Sequence, residues 1–370
     1  MRNTFASNRI VGARNDEGTV AAMEVFRSQT ADGVWRQAHA AFTAMAEHPT
    51  RPSRVGETLE LLHVGFQIDD PRQRWVISRQ PQINPAFSIA DTLWILAGSN
   101  DADVMNFWFP NLPSFAGQGS TYAGAYGHRL RTHFGVDQVK RACEALSSTP
   151  ESRQVVLQFW DVLTDLPQDD GVPRSADVPC NVMSMLKVRD GRLEWTQVLR
   201  SNDLYRGLPN NFVQFTLVQE VMAGWLGLEV GAYHQWSDSL HIYTDALGSF
   251  SCAGPVPEET NADSLAMPRD EGERLIDEMY RRLTMLTAPN LAEKPLLELA
   301  KMDEAPVGYQ NLLRILAAES ARRRGRLGQA HALMTDCTNP QLVQVWSRWF
   351  ERVRGVWVGR ELPSFSQGTT

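Results

Sequence analysis

The chain has 370 residues, 43% of them hydrophobic and 21% charged, with a formal net charge of -7 and a pI near 5.7. That length buries a large core, enough for one big domain and an appendage, while the acidic balance argues against a general nucleic-acid binder. No apolar run is long enough to span a bilayer and no secretory leader is visible, so a cytoplasmic setting is expected. The four cysteines (Cys143, Cys180, Cys252, Cys337) are widely spread without a CxxC pair, so neither a metal site nor a disulfide framework is expected.

Residues 1–20 are polar and read as poorly ordered. From Val20 to His48 apolar residues recur at helical spacing (Val25, Phe26, Val34, Trp35, Ala38, Phe42, Met45), which predicts one or two helices. ETLELLHVGFQI reads as a strand, and PRQRWVISRQP as a loop with a short extended piece. SIADTLWILAG has the period of a buried helix, with Ser88 as N-cap and Gly98 as its stop. FAGQGSTYAGAYGHRL is glycine-rich but lacks a GK[ST] ending, so its glycines serve turns rather than a phosphate loop. VDQVKRACEALSSTP is an amphipathic helix. QVVLQFWDV, VMSMLKVRDG and RLEWTQVLR read as strands, the last two joined at Arg189-Asp190-Gly191. NNFVQFTLVQEVMAGWLGL forms a long apolar helix and EVGAYHQWSDSLHIY a strand. This irregular alternation indicates an α+β or mixed α/β domain.

After Pro255 the composition changes. PVPEETNADSLAMPRDEG is linker-like, and three helical stretches follow over residues 266–358: GERLIDEMYRRLTML, GYQNLLRILAAESARRRGRLGQAHALM and PQLVQVWSRWFERVR. The expected organisation is a poorly ordered N-terminus (1–20), a catalytic domain (21–255), and a linker with a helical extension (256–370). The run ARRRGR reads as a solvated basic helix end in preference to a nucleic-acid contact.

Chemistry concentrates around Cys180, in VPCNVMSML, and the later QVLRSNDLYRGLPNNFVQFTLVQE. A guanidinium near a cysteine favours thiolate over thiol. A thiolate is a strong nucleophile, and an Arg-Ser pair holds a phosphate or another oxyanion. An Asn offers the donor and acceptor that a planar heterocycle edge requires. Together they point to covalent attack on a phosphorylated base.

On these motifs, from Pro179 to Tyr243 and back to Arg54, the chain resembles the folate-dependent thymidylate synthase family, which includes the pyrimidine nucleotide hydroxymethylases. The resemblance covers most of residues 50–250, with several motifs in the family's order and near its spacing. It implies an α+β fold built on a large bent mixed sheet with helices on one side, here with a C-terminal helical extension. It also implies a homodimer across the sheet. The implied reaction adds Cys180 to C6 of a pyrimidine nucleotide and makes C5 nucleophilic toward a one-carbon unit, with 5,10-methylenetetrahydrofolate as co-substrate.

By the same resemblance Arg54, Arg153, Arg200 and Ser201 bind the nucleotide phosphate, Arg153 being donated across the dimer interface. Asn211 reads the base edge and suits uracil rather than cytosine; His241 and Tyr243 hold the sugar. Asp203 bonds the folate pterin, with Gly207 permitting the close turn after it. Tyr126 is implicated in removing the C5 proton, and Asp91 in organising water near the base. Trp94 reads as core packing.

The chain also departs from the family. Gln154 stands where a second consecutive Arg is usual, a loss on the order of 1.5–3 kcal/mol unless another group such as His128 or Arg129 substitutes. Asp91 replaces a Glu, Asn181 a common His and Asn210 a common aromatic. The spacing between Asp238 and His241 is altered, and the usual closing C-terminal segment is not recognisable. Methylation of deoxyuridylate to thymidylate is the leading expectation from the resemblance, while Asp91, Asn181 and the altered C-terminus raise the alternative. The alternative is a uridylate or cytidylate 5-hydroxymethylase in which water replaces hydride. The alternative of another class is a non-catalytic RNA-binding or scaffold protein on the same fold, against which the net charge and the Cys180, Arg200, Asp203 and Asn211 set speak. Expected partners are nucleotide, folate and a second copy of the chain, with neither membrane nor nucleic acid.

Overall fold

A mixed eight-stranded sheet forms the spine of the computed structural model, which describes residues 23–45, 48–53, 56–254 and 259–354. The expectations for residues 1–20 and for Arg54 lie outside the described residues. Strand β1 (Glu24–Ser28) leads into α1 (Ala31–Ala44), whose cap Thr30 accepts from the Gly33 N–H. The helix expected from Val20 is thus partly a strand. Phe26 is buried and Val25 exposed, which is strand alternation, and β1 pairs in parallel with a strand far along the chain. Helical spacing is genuine only further on, where α1 buries Val34, Trp35, Ala38 and Phe42.

Next come β2 (Arg51–Pro52), β3 (Glu57–Ile68), β4 (Arg79–Gln80) and α2 (Pro85–Leu96). The cap of α2 is Asn84, not Ser88, because Pro85 at the first turn has no N–H to satisfy. Ser88 lies inside the helix and donates to Asn210 Oδ1 (2.6 Å), while Gly98 (φ 70°) ends it as expected. The glycine-rich stretch contains α4 (Pro113–Ala116) and α5 (Tyr126–His128), preceded by α3 (Ala102–Trp108) and followed by a π turn to His133. Gly127 sits against α2, where a Cβ would come within 2.5 Å of the Ile95 carbonyl oxygen.

Then follow α6 (Gln138–Ser148), β5 (Val156–Gln158), α7 (Val162–Asp165), β6 (Asn181–Arg189) and β7 (Arg192–Leu199). Asp190 (φ 50°) and Gly191 (φ 72°) make the tight turn of this hairpin. The short β8 (Asn202–Asp203), the long α8 (Leu208–Trp225), β9 (Glu229–Tyr243) and β10 (Ser251–Cys252) complete this part.

The strand order is β1-β3-β9-β7-β6-β5, with β2 on β3 and β8 on β9; β4 and β10 form a separate pair. One face is packed under the helices, as Phe66 and Tyr233 meet Phe212 of α8 at 5.6 and 6.4 Å between rings. The other face carries a row in register: Val25, Gly65, Trp236, Val198 and Met183.

The C-terminal part contains α9 (Arg269–Leu286), α10 (Glu293–Leu299), α11 (Val307–Arg323), α12 (Leu327–Thr335) and α13 (Pro340–Arg354). The single stretch read from Gly308 to Met334 is two helices, broken at Gly325 (φ 74°), and α10 was not legible as a separate element. These helices share one hydrophobic core with the sheet and its helices. The segment before α9 lacks regular structure but is tied down. Glu220 of α8 pairs with Arg74 and accepts from the Leu265 N–H (3.1 Å), and Tyr309 of α11 donates to the Leu265 carbonyl (2.9 Å). Among the described residues no helix is long and apolar enough to cross a membrane.

Candidate active site

Two polar chains run through the buried face of the sheet and end at the candidate site. Trp195 Nε1 and Ser184 Oγ donate to Gln197 Oε1, and Gln197 Nε2 donates to Asn181 Oδ1 at 2.7 Å. That bond turns the amide nitrogen of Asn181 toward the Tyr126 phenol. In parallel, Tyr233 donates to Gln235, and Gln235 and Asn202 both donate to Ser237 Oγ. The first chain fixes the residue after Cys180, and the second fixes the residue between Ser201 and Asp203. Every member is buried, so each polar group needs a partner; pairing within the sheet supplies most of them, while Asn181 Nδ2 is left without a partner inside the sheet.

Cys180 enters β6, half-buried and in no disulfide. Arg200, at the end of β7, is fastened to the stretch that presents it. Its backbone N–H donates to the Cys180 carbonyl (2.9 Å), Nε to Pro179 (2.9 Å) and Nη2 to Val178 (3.2 Å), while the guanidinium lies over the Trp160 ring. These bonds leave an exposed positive group beside the cysteine. Ser201 follows, half-buried.

Asp203 lies in register with His241, and Tyr243 follows two positions on, its ring 5.2 Å from the imidazole. The Asp203 Oδ1 accepts from the N–H groups of Tyr205 (2.7 Å) and Arg206 (2.8 Å), which locks the carboxylate at the turn before α8. Gly207 is required there, since a Cβ would sit 2.7 Å from Asn202 Oδ1. Burial lowers the His241 pKa, opposed by the charge of Asp203, so the ring is neutral near pH 7.

Asp91 of α2 and Asn211 of α8 are joined through a residue the sequence did not single out. Gln214 Nε2 donates to Asp91 Oδ2, and Gln214 Oε1 accepts from Asn211 Nδ2 at 2.9 Å. All three are buried. Burial pushes the Asp91 pKa up to about 7, only partly offset by the Gln214 bond, which suits proton exchange near neutral pH. Tyr126 packs edge-on to Phe159 (5.6 Å). Burial and then the Cys180 charge hold its phenol well above the usual range, opposed by the nearby Asn181 amide.

Other expectations fare differently. Arg129 is fully buried in a two-pronged pair with Asp165 (2.8 and 3.0 Å), so it is not free to stand in for an arginine at Gln154. His128 bonds Thr132 (2.7 Å). Arg153 and Gln154 are exposed on the loop before β5. Trp94 is buried as expected, its indole donating to the Asp101 carbonyl (3.2 Å).

The ARRRGR run is neither a solvated helix end nor a surface patch. Arg322 and Arg323 pair with the fully buried Glu319, Arg323 also reaches Trp108, Arg324 caps Leu286 and Arg326 caps Leu291. Gln214, Gln197 and Trp160 were missed. The available signal for the first two was a glutamine in an otherwise apolar, buried slot of a helix or strand.

Comparison with known proteins places the chain among its relatives. The chain is 34% identical over 218 residues to a deoxyuridylate hydroxymethyltransferase of Bacillus phage SP01, covering 56% of each chain. It is 35% identical over 179 residues to the deoxyuridylate hydroxymethyltransferase of Pseudomonas phage M6, covering 48% of this chain and 50% of that one. A Methanothermobacter marburgensis protein named "Putative thymidylate synthase" is 42% identical over 118 residues, covering 32% of this chain and 50% of that one. The chain spans about half the length of the curated relatives it matches. The family model described as thymidylate synthase matches residues 51–282, from β2 into α9, and the chain belongs to the thymidylate synthase family.

Proposed function

We propose that this chain transfers a one-carbon unit to C5 of deoxyuridylate, and that water rather than hydride completes the step to give the 5-hydroxymethyl base. The observation that carries the reading is Arg200, bonded to the backbone of Val178, Pro179 and Cys180. Its charge stabilises the Cys180 thiolate and remains open to a phosphate oxygen beside Ser201. Cys180 adds to C6, and the electron pair of the C5–C6 bond becomes available at C5. Asn211 reads the base edge, His241 and Tyr243 hold the sugar, and Arg54 adds a phosphate contact.

5,10-Methylenetetrahydrofolate would supply the carbon. The locked Asp203 carboxylate, with Oδ2 left to accept from a pterin N–H, fits it, as does the tight turn at Gly207. Tyr126 and Asp91 handle the proton that leaves C5 and the one that water loses as its oxygen joins the C5-bound carbon, whose bond to the tetrahydrofolate nitrogen would break; Cys180 then departs as the C5–C6 double bond re-forms. The water reading is supported by Asn181, whose amide faces Tyr126, by the shortened carboxylate at Asp91, and by the printed names of the phage relatives.

On this reading residues 21–255 are the catalytic unit and residues 256–370 the linker and helical extension, whose described helices brace it, and the protein works in the cytoplasm. It also includes a homodimer. The apolar row from Val25 to Met183 covers a second copy, and the exposed Arg153 reaches that copy's phosphate site.

The test is mass spectrometry of products from the purified protein with methylenetetrahydrofolate and either dUMP or UMP. A hydroxymethylated base with tetrahydrofolate released is expected from dUMP, and Cys180→Ala should lose at least about 10³-fold in turnover. A methylated base with dihydrofolate would instead establish thymidylate synthesis, the second reading, which the family description and the Methanothermobacter relative favour. Salt-dependent RNA binding without either product would support the non-catalytic alternative.

A further inference from the structure

We infer that Gln214 is a specificity-determining positioning residue, which fixes the direction of the Asn211 amide and so excludes a cytosine base. The inference rests on the reading that Asn211 faces the base. An amide has one donating end and one accepting end, so a chain of amides has a direction. Here the direction starts at Asp91. Its carboxylate accepts, so Gln214 must present Nε2 to it; Gln214 Oε1 is then left to accept, and Asn211 must present Nδ2. Asn211 is thereby held with its second N–H and its Oδ1 toward the substrate, the match for O4 and N3–H of uracil.

Cytosine offers the reverse pattern, a donor at N4 and an acceptor at N3. Reading it requires Asn211 to turn over, which would set its Oδ1 against Gln214 Oε1. Turning Gln214 as well would set Oε1 against the Asp91 carboxylate whenever that group is ionised, so the exclusion is strongest above about pH 7. Each clash lies among side chains that are 9% exposed or less, where water cannot relieve it. Gln214 and Asn211 are three positions apart on α8, hence on one face, and α2 packs against that helix. The relay is therefore held by two rigid elements.

The test is titration of the full chain with dUMP and with dCMP, paired with kcat/KM for both. Gln214→Met keeps the length but removes both bonds, and the dUMP-to-dCMP ratio should fall at least about tenfold. Gln214→Glu can share one proton with Asp91 and still accept from Asn211, so it should retain the ratio within about threefold. Asn211→Asp in the same assays checks the underlying reading. If Asn211→Asp shifts preference toward dCMP while Gln214→Met leaves the ratio unchanged, the relay is overturned and the base reading stands. If neither shifts it, both are overturned. Loss of the ratio in Gln214→Glu also overturns the relay, whether or not Gln214→Met folds.

Discussion

Glu319 in α11 and Asp91 in α2 are both shut away from water, yet one is held as an ion and the other near its neutral point. Burial works against ionisation in each. At Glu319 it is outweighed by the bonds and charges of Arg322 and Arg323 and by the Trp349 indole, so the pKa is lowered. At Asp91 the hydrogen-bonding partner is the neutral amide of Gln214, and the pKa rises to about 7. Depth alone thus says little about a carboxylate. The charge of its neighbours decides whether it is committed to the fold or left able to move a proton.

The contrast is sharpest if the cations lose their anion. Glu319→Gln leaves Arg322 and Arg323 buried without a counter-ion and should cost about 3–5 kcal/mol in urea unfolding. A loss under about 1 kcal/mol would show that water screens the pair and would end the comparison.

The two sites should also respond to pH in opposite directions. Glu319, whose folded pKa lies below its ordinary 4.5, stabilises above that value and stops doing so as pH falls through the lower folded pKa. Asp91, raised from 3.8 to about 7, favours the fold most below pH 4, and that contribution is lost as pH rises to 7. Relative to wild type, Asp91→Asn should gain up to about 1.4 kcal/mol per pH unit across that window. A flat difference would place water beside Asp91.

A smaller effect is expected from Arg200→Lys. An ammonium cannot reproduce the forked contacts to Pro179 and Val178, so nucleotide binding should weaken by about 1.5–3 kcal/mol. Stability should change by no more than about 0.5 kcal/mol, because the group is exposed. A large fall in melting temperature would make Arg200 structural, like the arginines of α11.

Much of the frame was legible from pattern. The β6–β7 hairpin announced itself by Asp190-Gly191, and α8 and β9 by their length and period. The Cys180, Arg200 and Asp203 grouping was readable because Arg200 and Asp203 stand close in sequence and the β6–β7 hairpin returns the chain to the end where Cys180 sits. What escaped depends on partners remote in sequence. β1 looks helical until β3 is beside it, and the arginines of α11 look solvated until Glu319, Trp108 and Leu286 surround them. Gln214 is one polar letter in an apolar helix, and its importance appears only when α2 brings Asp91 opposite. Local periodicity reports which face is inside, but not which polar groups meet there.

The tie between Glu220, Arg74 and Leu265 bears on modularity. A linker-like composition invites a cut before α9, as between two beads. Yet Gly224 lets the Ala266 backbone lie so near α8 that a Cβ would approach to 2.6 Å. Severing the chain there would strip one flank from the same helix that carries Asn211 and Gln214, and would expose an arginine–glutamate pair sealed inside. Residues 259–268 therefore act as a seam rather than a hinge, and limited proteolysis of the native protein should find its first cleavage elsewhere.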